Sequence, residues 1–178
     1  MPLLSADPAA FPVDPPADTT DPAIVAAHDW AAFSALTEMT DHWARPGWSD
    51  GSRAYYWMLT FPDDQPLKDL ARHCQESLAP LGLDPVPLDA LHITLADIGS
   101  PDTITPDQLD SLAQESEPLL PAAFSLRATP LTGSRGAVRL SLAPWTPLLR
   151  LHRALSEAGA TVALPPSNST CRLPFAPQ

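Results

Sequence analysis

Apolar positions recur along the chain with two different periods, and these divide it into short elements. Asp21-Pro22 reads as a helix cap followed by a first-turn proline. Ile24, Ala27, His28, Ala31 and Ala35 then follow at helical spacing with Trp30 and Phe33 nearby, which predicts a helix to about Trp43, ended by Pro46-Gly47. Arg53 to Phe61 is aromatic and apolar between turn-forming segments and predicts a buried strand. From Gln65 to about Leu78, Leu67, Leu70, Ala71, Cys74 and Leu78 share one helical face. Leu88 to Asp97 alternates strictly around His92, and Thr105-Pro106 opens an amphipathic helix to about Glu117.

Ala123 to Pro130 and Arg135 to Leu142 read as strands joined by the turn-rich Leu131 to Gly136, hence a hairpin. Thr146-Pro147 begins a last helix through Ala158, stopped at Gly159. This order predicts an α+β fold of two similar lobes, each lobe an antiparallel sheet packed with helices. A further strand is owed after Gly159, so the second lobe reads as incomplete at its C-terminus.

Composition sharpens this picture at both ends. Residues 1–20 are rich in Pro, Ala and Asp without periodicity and read as a disordered leader, leaving 21–178 as one domain. The 23 prolines are two to three times the usual ~5% share, so the elements should be short. No apolar run approaches the roughly 20 residues that cross a bilayer, and a soluble, cytoplasmic monomer is expected. Cys74 and Cys171 have no ligand spacing, so no metal is expected. The net charge of −11 opposes long nucleic acid, because such binding draws on many Lys and Arg side chains, and restricts any nucleic-acid partner to a short end.

The candidate chemistry sits in the second strand. Residues two apart on a strand share a face about 6.6–6.8 Å apart, so His92 and Thr94 point together while Leu91, Ile93 and Leu95 point to the core. An imidazole that titrates near neutral pH beside a hydroxyl donor suits a phosphoryl group. Tyr56, or else the pair Tyr55 and Trp57, is placed to stack on a base; Arg53, Arg127, Arg135 and Arg139 are candidate phosphate cations, with Arg53 and Arg139 favoured. His152 lies at helical spacing with Leu148, Leu149 and Leu155 and reads as a packing residue.

The stretches D-H-W-A-R-P-G-W (Asp41 to Trp48), Y-Y-W-M-L-T-F (Tyr55 to Phe61), V-P-L-D-A-L-H-I-T-L (Val86 to Leu95) and P-W-T-P-L (Pro144 to Leu148) occur in an order that resembles the 2H phosphoesterase superfamily, in its 2'-5' RNA ligase-like group. The resemblance implies two pseudo-symmetric lobes around a central cleft, each bearing an H-x-[T/S] motif. It implies His92 as one catalytic histidine and Thr94 as a phosphate ligand, acting on 2',3'-cyclic phosphate or 2'-5' linked RNA or nucleotide ends without a cofactor. The family's second motif commonly reads F-x-P-H-x-[T/S]; here Phe175, Pro177 and Gln178 stand as its remnant, with glutamine where histidine is expected. Glutamine cannot exchange a proton near pH 7, so the readings are a 2H enzyme, a module that binds such ends without turnover, or a truncated remnant.

Overall fold

A computed structural model describes residues 4–8, 10–42, 51 and 53–162. Its elements are α1 (Pro22–Ser34), β1 (Tyr55–Thr60), α2 (Gln65–Leu78), β2 (His92–Gly99), α3 (Pro106–Ser116), β3 (Arg127–Gly133), β4 (Val138–Ala143) and α4 (Trp145–Thr161). β1 pairs antiparallel with β2, and β3 with β4, as two separate two-stranded sheets. The α+β class follows directly.

Local chemistry explains the boundaries. Asp21 caps α1, its carboxylate accepting from the Ala23 and Ile24 amides, and Pro22 occupies the first turn where no amide is needed. Asp64 caps α2 by accepting from the Leu67 amide. Thr105 and Gln108 close a reciprocal capping box on α3.

Several expected boundaries are corrected. α1 ends at Ser34 rather than near Trp43, because the following residues turn toward the second hairpin, where the Thr40 amide donates to the Arg135 carbonyl at 2.7 Å. β2 starts at His92, since Leu88–Ala90 closes a 3-10 turn in which the Ala90 amide donates to the Pro87 carbonyl. β3 runs through Pro130 to Gly133, and the turn shifts to Ser134–Ala137, closed by the Ser134 amide on the Ala137 carbonyl. One extra residue between Thr129 and Thr132 lets a proline without an amide sit inside the strand. α4 begins at Trp145 and passes Gly159, whose cost within a helix is outweighed by the buried face carrying Ala158. The expected strand beyond Gly159 lies outside the described residues past Val162.

α4 joins the core. Its Leu149 packs with Val25, Ala143 and Trp145. Leu148, Leu151 and Leu155 pack with Leu95, Trp57, Leu59 and Ile93. Ala158 meets Ile98, Ile104 and Leu112. Before α1, the Asp7 amide donates to the Val13 carbonyl, the Trp145 amide donates to the Thr19 carbonyl, and Leu4 packs on the Val25 cluster.

Where α1 meets the second hairpin, a charged residue is buried. Asp29 is 1% exposed and accepts from the Ser141 hydroxyl at 2.7 Å, with the Arg139 guanidinium 3.6 Å away. Ser141→Ala should leave this carboxylate with one distant partner and lower stability by about 1–3 kcal/mol; urea denaturation of the two proteins measures the loss.

Candidate functional site

The register of β1 and β2 places the candidate residues. Thr60 faces His92, Leu59 faces Ile93, Met58 faces Thr94, Trp57 faces Ala96, Tyr56 faces Asp97 and Tyr55 faces Gly99. Two residues of β2, Leu95 and Ile98, are therefore extra, one at each register shift. Each is buried, Leu95 at 2% and Ile98 at 8% exposure. The bulges bring consecutive residues of β2 toward one side and reset the alternation beyond them.

One face therefore carries Trp57, Leu59, Ile93 and Leu95 against α4, joined by Tyr55 near Ile98. The other carries His92, Thr94, Thr60, Met58, Tyr56 and Asp97, of which His92, Thr60 and Met58 are exposed. An uninterrupted strand would have turned Asp97 into the core. The bulge at Leu95 turns it back to the histidine's face, a placement that alternation alone did not signal.

His92 is oriented from below. Its Nδ1 lies 2.8 Å from the Ala90 carbonyl oxygen. A carbonyl only accepts, so Nδ1 carries the hydrogen and Nε2 keeps the lone pair that takes a proton. The turn that presents Ala90 is itself held by α2: the Lys68 ammonium meets Asp89 at 2.6 Å, and the Gln75 amide donates to the Val86 carbonyl at 2.7 Å. The hydrogen bond from Lys68, and then its charge, hold the Asp89 carboxyl below its usual range.

The other candidates are placed as follows. Tyr56 shares the His92 face but pairs four positions from Thr60, about 13 Å along the strand. Tyr55 and Trp57 face the core instead. Arg53 is exposed and precedes β1 at the end opposite His92, so the hairpin separates the two. Arg139 lies on β4 beside buried Asp29, and Arg135 stacks 5.8 Å over the Phe11 ring. His152 donates from or accepts at Nδ1 toward the Leu95 carbonyl at 2.9 Å; since the oxygen is an acceptor, the imidazole donates, fastening α4 to the bulge. Phe175, Pro177 and Gln178 lie outside the described residues. A concavity of about 360 Å³ is lined by Trp30, Phe33 and the residues after α1, and contains none of the candidates. Among the described residues no group of three or more His, Cys, Asp or Glu gathers as a metal site, and no helix is long and apolar enough to cross a membrane.

An imidazole whose Nδ1 is held by a backbone carbonyl thus shares one strand face with the Thr60 and Thr94 hydroxyls. Residues 59–138 match the family model described as LigT like Phosphoesterase, which supports the resemblance to the 2H phosphoesterase superfamily. The matched segment contains His92, Thr94 and the whole of β2. No curated protein and no solved structure matches the chain.

Asp97 has a titration consequence. Its Oδ1 is buried without a hydrogen-bond partner, and burial pushes its carboxyl above the usual 3.8, offset in part by the Gly99 amide. Raising a carboxyl pKa on folding makes the native state bind protons more tightly. Stability from this group is therefore full below pH 3.8 and falls as pH rises through the raised value. Asp97→Asn should be more stable than the parent at pH 7 and lose that advantage below about pH 4, which melting curves at the two pH values test.

Proposed function

We propose that the chain acts on 2',3'-cyclic phosphate or 2'-5' linked RNA or nucleotide ends, with His92 as a proton-transfer group and Thr94 as a phosphoryl-oxygen ligand. The observation that carries this reading is the Nδ1 contact of His92 with the Ala90 carbonyl, which leaves Nε2 as the reactive nitrogen on an exposed face beside Thr94. The match over residues 59–138 supports the same chemistry.

In hydrolysis of a cyclic phosphate, water attacks phosphorus and one P–O bond to the ribose breaks. One proton must leave the water and one must reach the departing oxygen. His92 Nε2 supplies one of these transfers. His152 is held at the Leu95 carbonyl on the core side of β2 and does not supply the other. Among the described residues His92 is the imidazole on this face, and in this reading it carries one of the two transfers.

The alternative within the same site is binding of nucleotide ends without turnover. Assays of 2',3'-cyclic nucleotide hydrolysis and of nucleotide binding, run on the parent, His92→Ala and Thr94→Val, separate the two. For the enzyme, His92→Ala should reduce hydrolysis by roughly 10²–10⁴, well beyond the loss it causes in binding. For the binding module, hydrolysis is absent throughout and Thr94→Val weakens binding about tenfold. Binding and hydrolysis indifferent to both substitutions would refute the site.

A further inference from the structure

Thr60 stands directly across the β1–β2 ladder from His92. In an antiparallel pair, directly opposed side chains rise from the same face with their Cβ atoms about 4.5–5.5 Å apart. Thr60 and His92 are both exposed, so this edge of the hairpin is accessible. Thr94 stands two residues along β2, and the diagonal from Thr60 to Thr94 is about 7–8 Å. Among the described residues, neither threonine hydroxyl has a partner in the protein. His92 Nδ1, by contrast, is occupied by the Ala90 carbonyl.

We infer that Thr60 is a second phosphoryl-oxygen ligand, so that Thr60, His92 and Thr94 form a three-point phosphate cradle on the one hairpin. This deepens the functional reading above and rests on it. The geometry suits a tetrahedral anion. Two hydroxyls separated by such a diagonal can each donate, at about 2.7–2.8 Å, to a different non-bridging oxygen of a phosphoryl group seated between them. Nε2 of His92, rising beside Thr60, then faces a third oxygen and donates to it once it has taken up a proton. Met58, opposite Thr94 and 39% exposed, fills the fourth corner of this patch with an apolar side chain that brings no competing acceptor.

The assignment has a chemical consequence. Substrate capture needs no residue from the second hairpin, and binding separates cleanly from turnover: the cradle holds the phosphate even where the second proton-transfer group is lacking. The ligand class is a phosphomonoester, a cyclic phosphodiester or inorganic phosphate, because each offers at least two non-bridging oxygens.

The test uses the full chain titrated with inorganic phosphate and, separately, with 2',3'-cyclic AMP, following backbone amide shifts. Thr60→Val keeps the β-branched shape and removes the hydroxyl; Thr60→Ser keeps the hydroxyl. Thr60→Val should weaken both ligands about 10-fold or more, and Thr60→Ser should remain within about 3-fold of the parent. Thr60→Ala checks the loss through a second side chain should valine disturb the amide spectrum. Unchanged affinity in Thr60→Val and Thr60→Ala, with weakening in Thr94→Val, overturns the role of Thr60 and leaves the His92 site standing. No ligand-dependent shift at the His92 and Thr94 amides in the parent overturns the functional reading and the cradle together.

Discussion

The extra residue that β2 carries at Leu95 governs how both faces of the first hairpin are used. A bulged strand has a carbonyl displaced from the regular ladder, and here that carbonyl receives His152 from α4. The Leu95 side chain enters the apolar cluster with Leu148, Leu151 and Leu155, so one residue supplies both the polar and the apolar contact that seat the helix. Burial of a leucine side chain is worth about 1.5–3 kcal/mol. A hydrogen bond alone would fix α4 less firmly, and packing alone would fix its rotation less well. Seating α4 against one face leaves the opposite face, with His92 and Thr94, turned away from the core.

The second hairpin is organised on a different principle. There the helix–sheet contact between α1 and β4 contains Asp29, Ser141 and Arg139 rather than apolar residues alone. A buried carboxylate is costly unless it is paired and hydrogen-bonded, and the two partners on β4 fix which residues of α1 face the sheet. Val25, one turn before Asp29, is fully buried beside them. Close approach completes the fit: a side chain added at Gly133 would run into the Phe33 ring, so α1 meets β3 where β3 has none.

Much of the fold was legible because local signals and burial agree. The caps at Asp21 and Thr105, the amphipathic run from Leu67 to Leu78, and the alternation around His92 all lead to the observed elements. Where they failed, a tertiary contact or a register defect prevailed. The face of α1 read from Ile24 and Ala31 is exposed, because Asp29, a charged residue, takes the buried position through partners more than a hundred residues away. Pro130 signals the end of a strand when read alone, yet a bulge absorbs it. His92 and Thr94 were found from period two, whereas the placement of Asp97 and Thr60 beside them required the cross-strand register, which no local pattern contains.

Charge narrows what this face can bind. Three of the four arginines that the sequence offers for a phosphate lie elsewhere: Arg139 faces Asp29, Arg135 covers Phe11, and Arg53 lies at the far end of β1. The face that carries His92 instead presents hydroxyls and an imidazole. Such groups hold a phosphate by directed hydrogen bonds and release few counterions on binding. Within the proposed reading, recognition is therefore short-range, since the net charge of −11 repels the rest of a long polyanion while leaving a single terminal phosphate within reach of the strand. The acidic surface and the hydroxyl-lined hairpin act in the same direction: they favour an isolated phosphoryl group over a continuous nucleic-acid backbone.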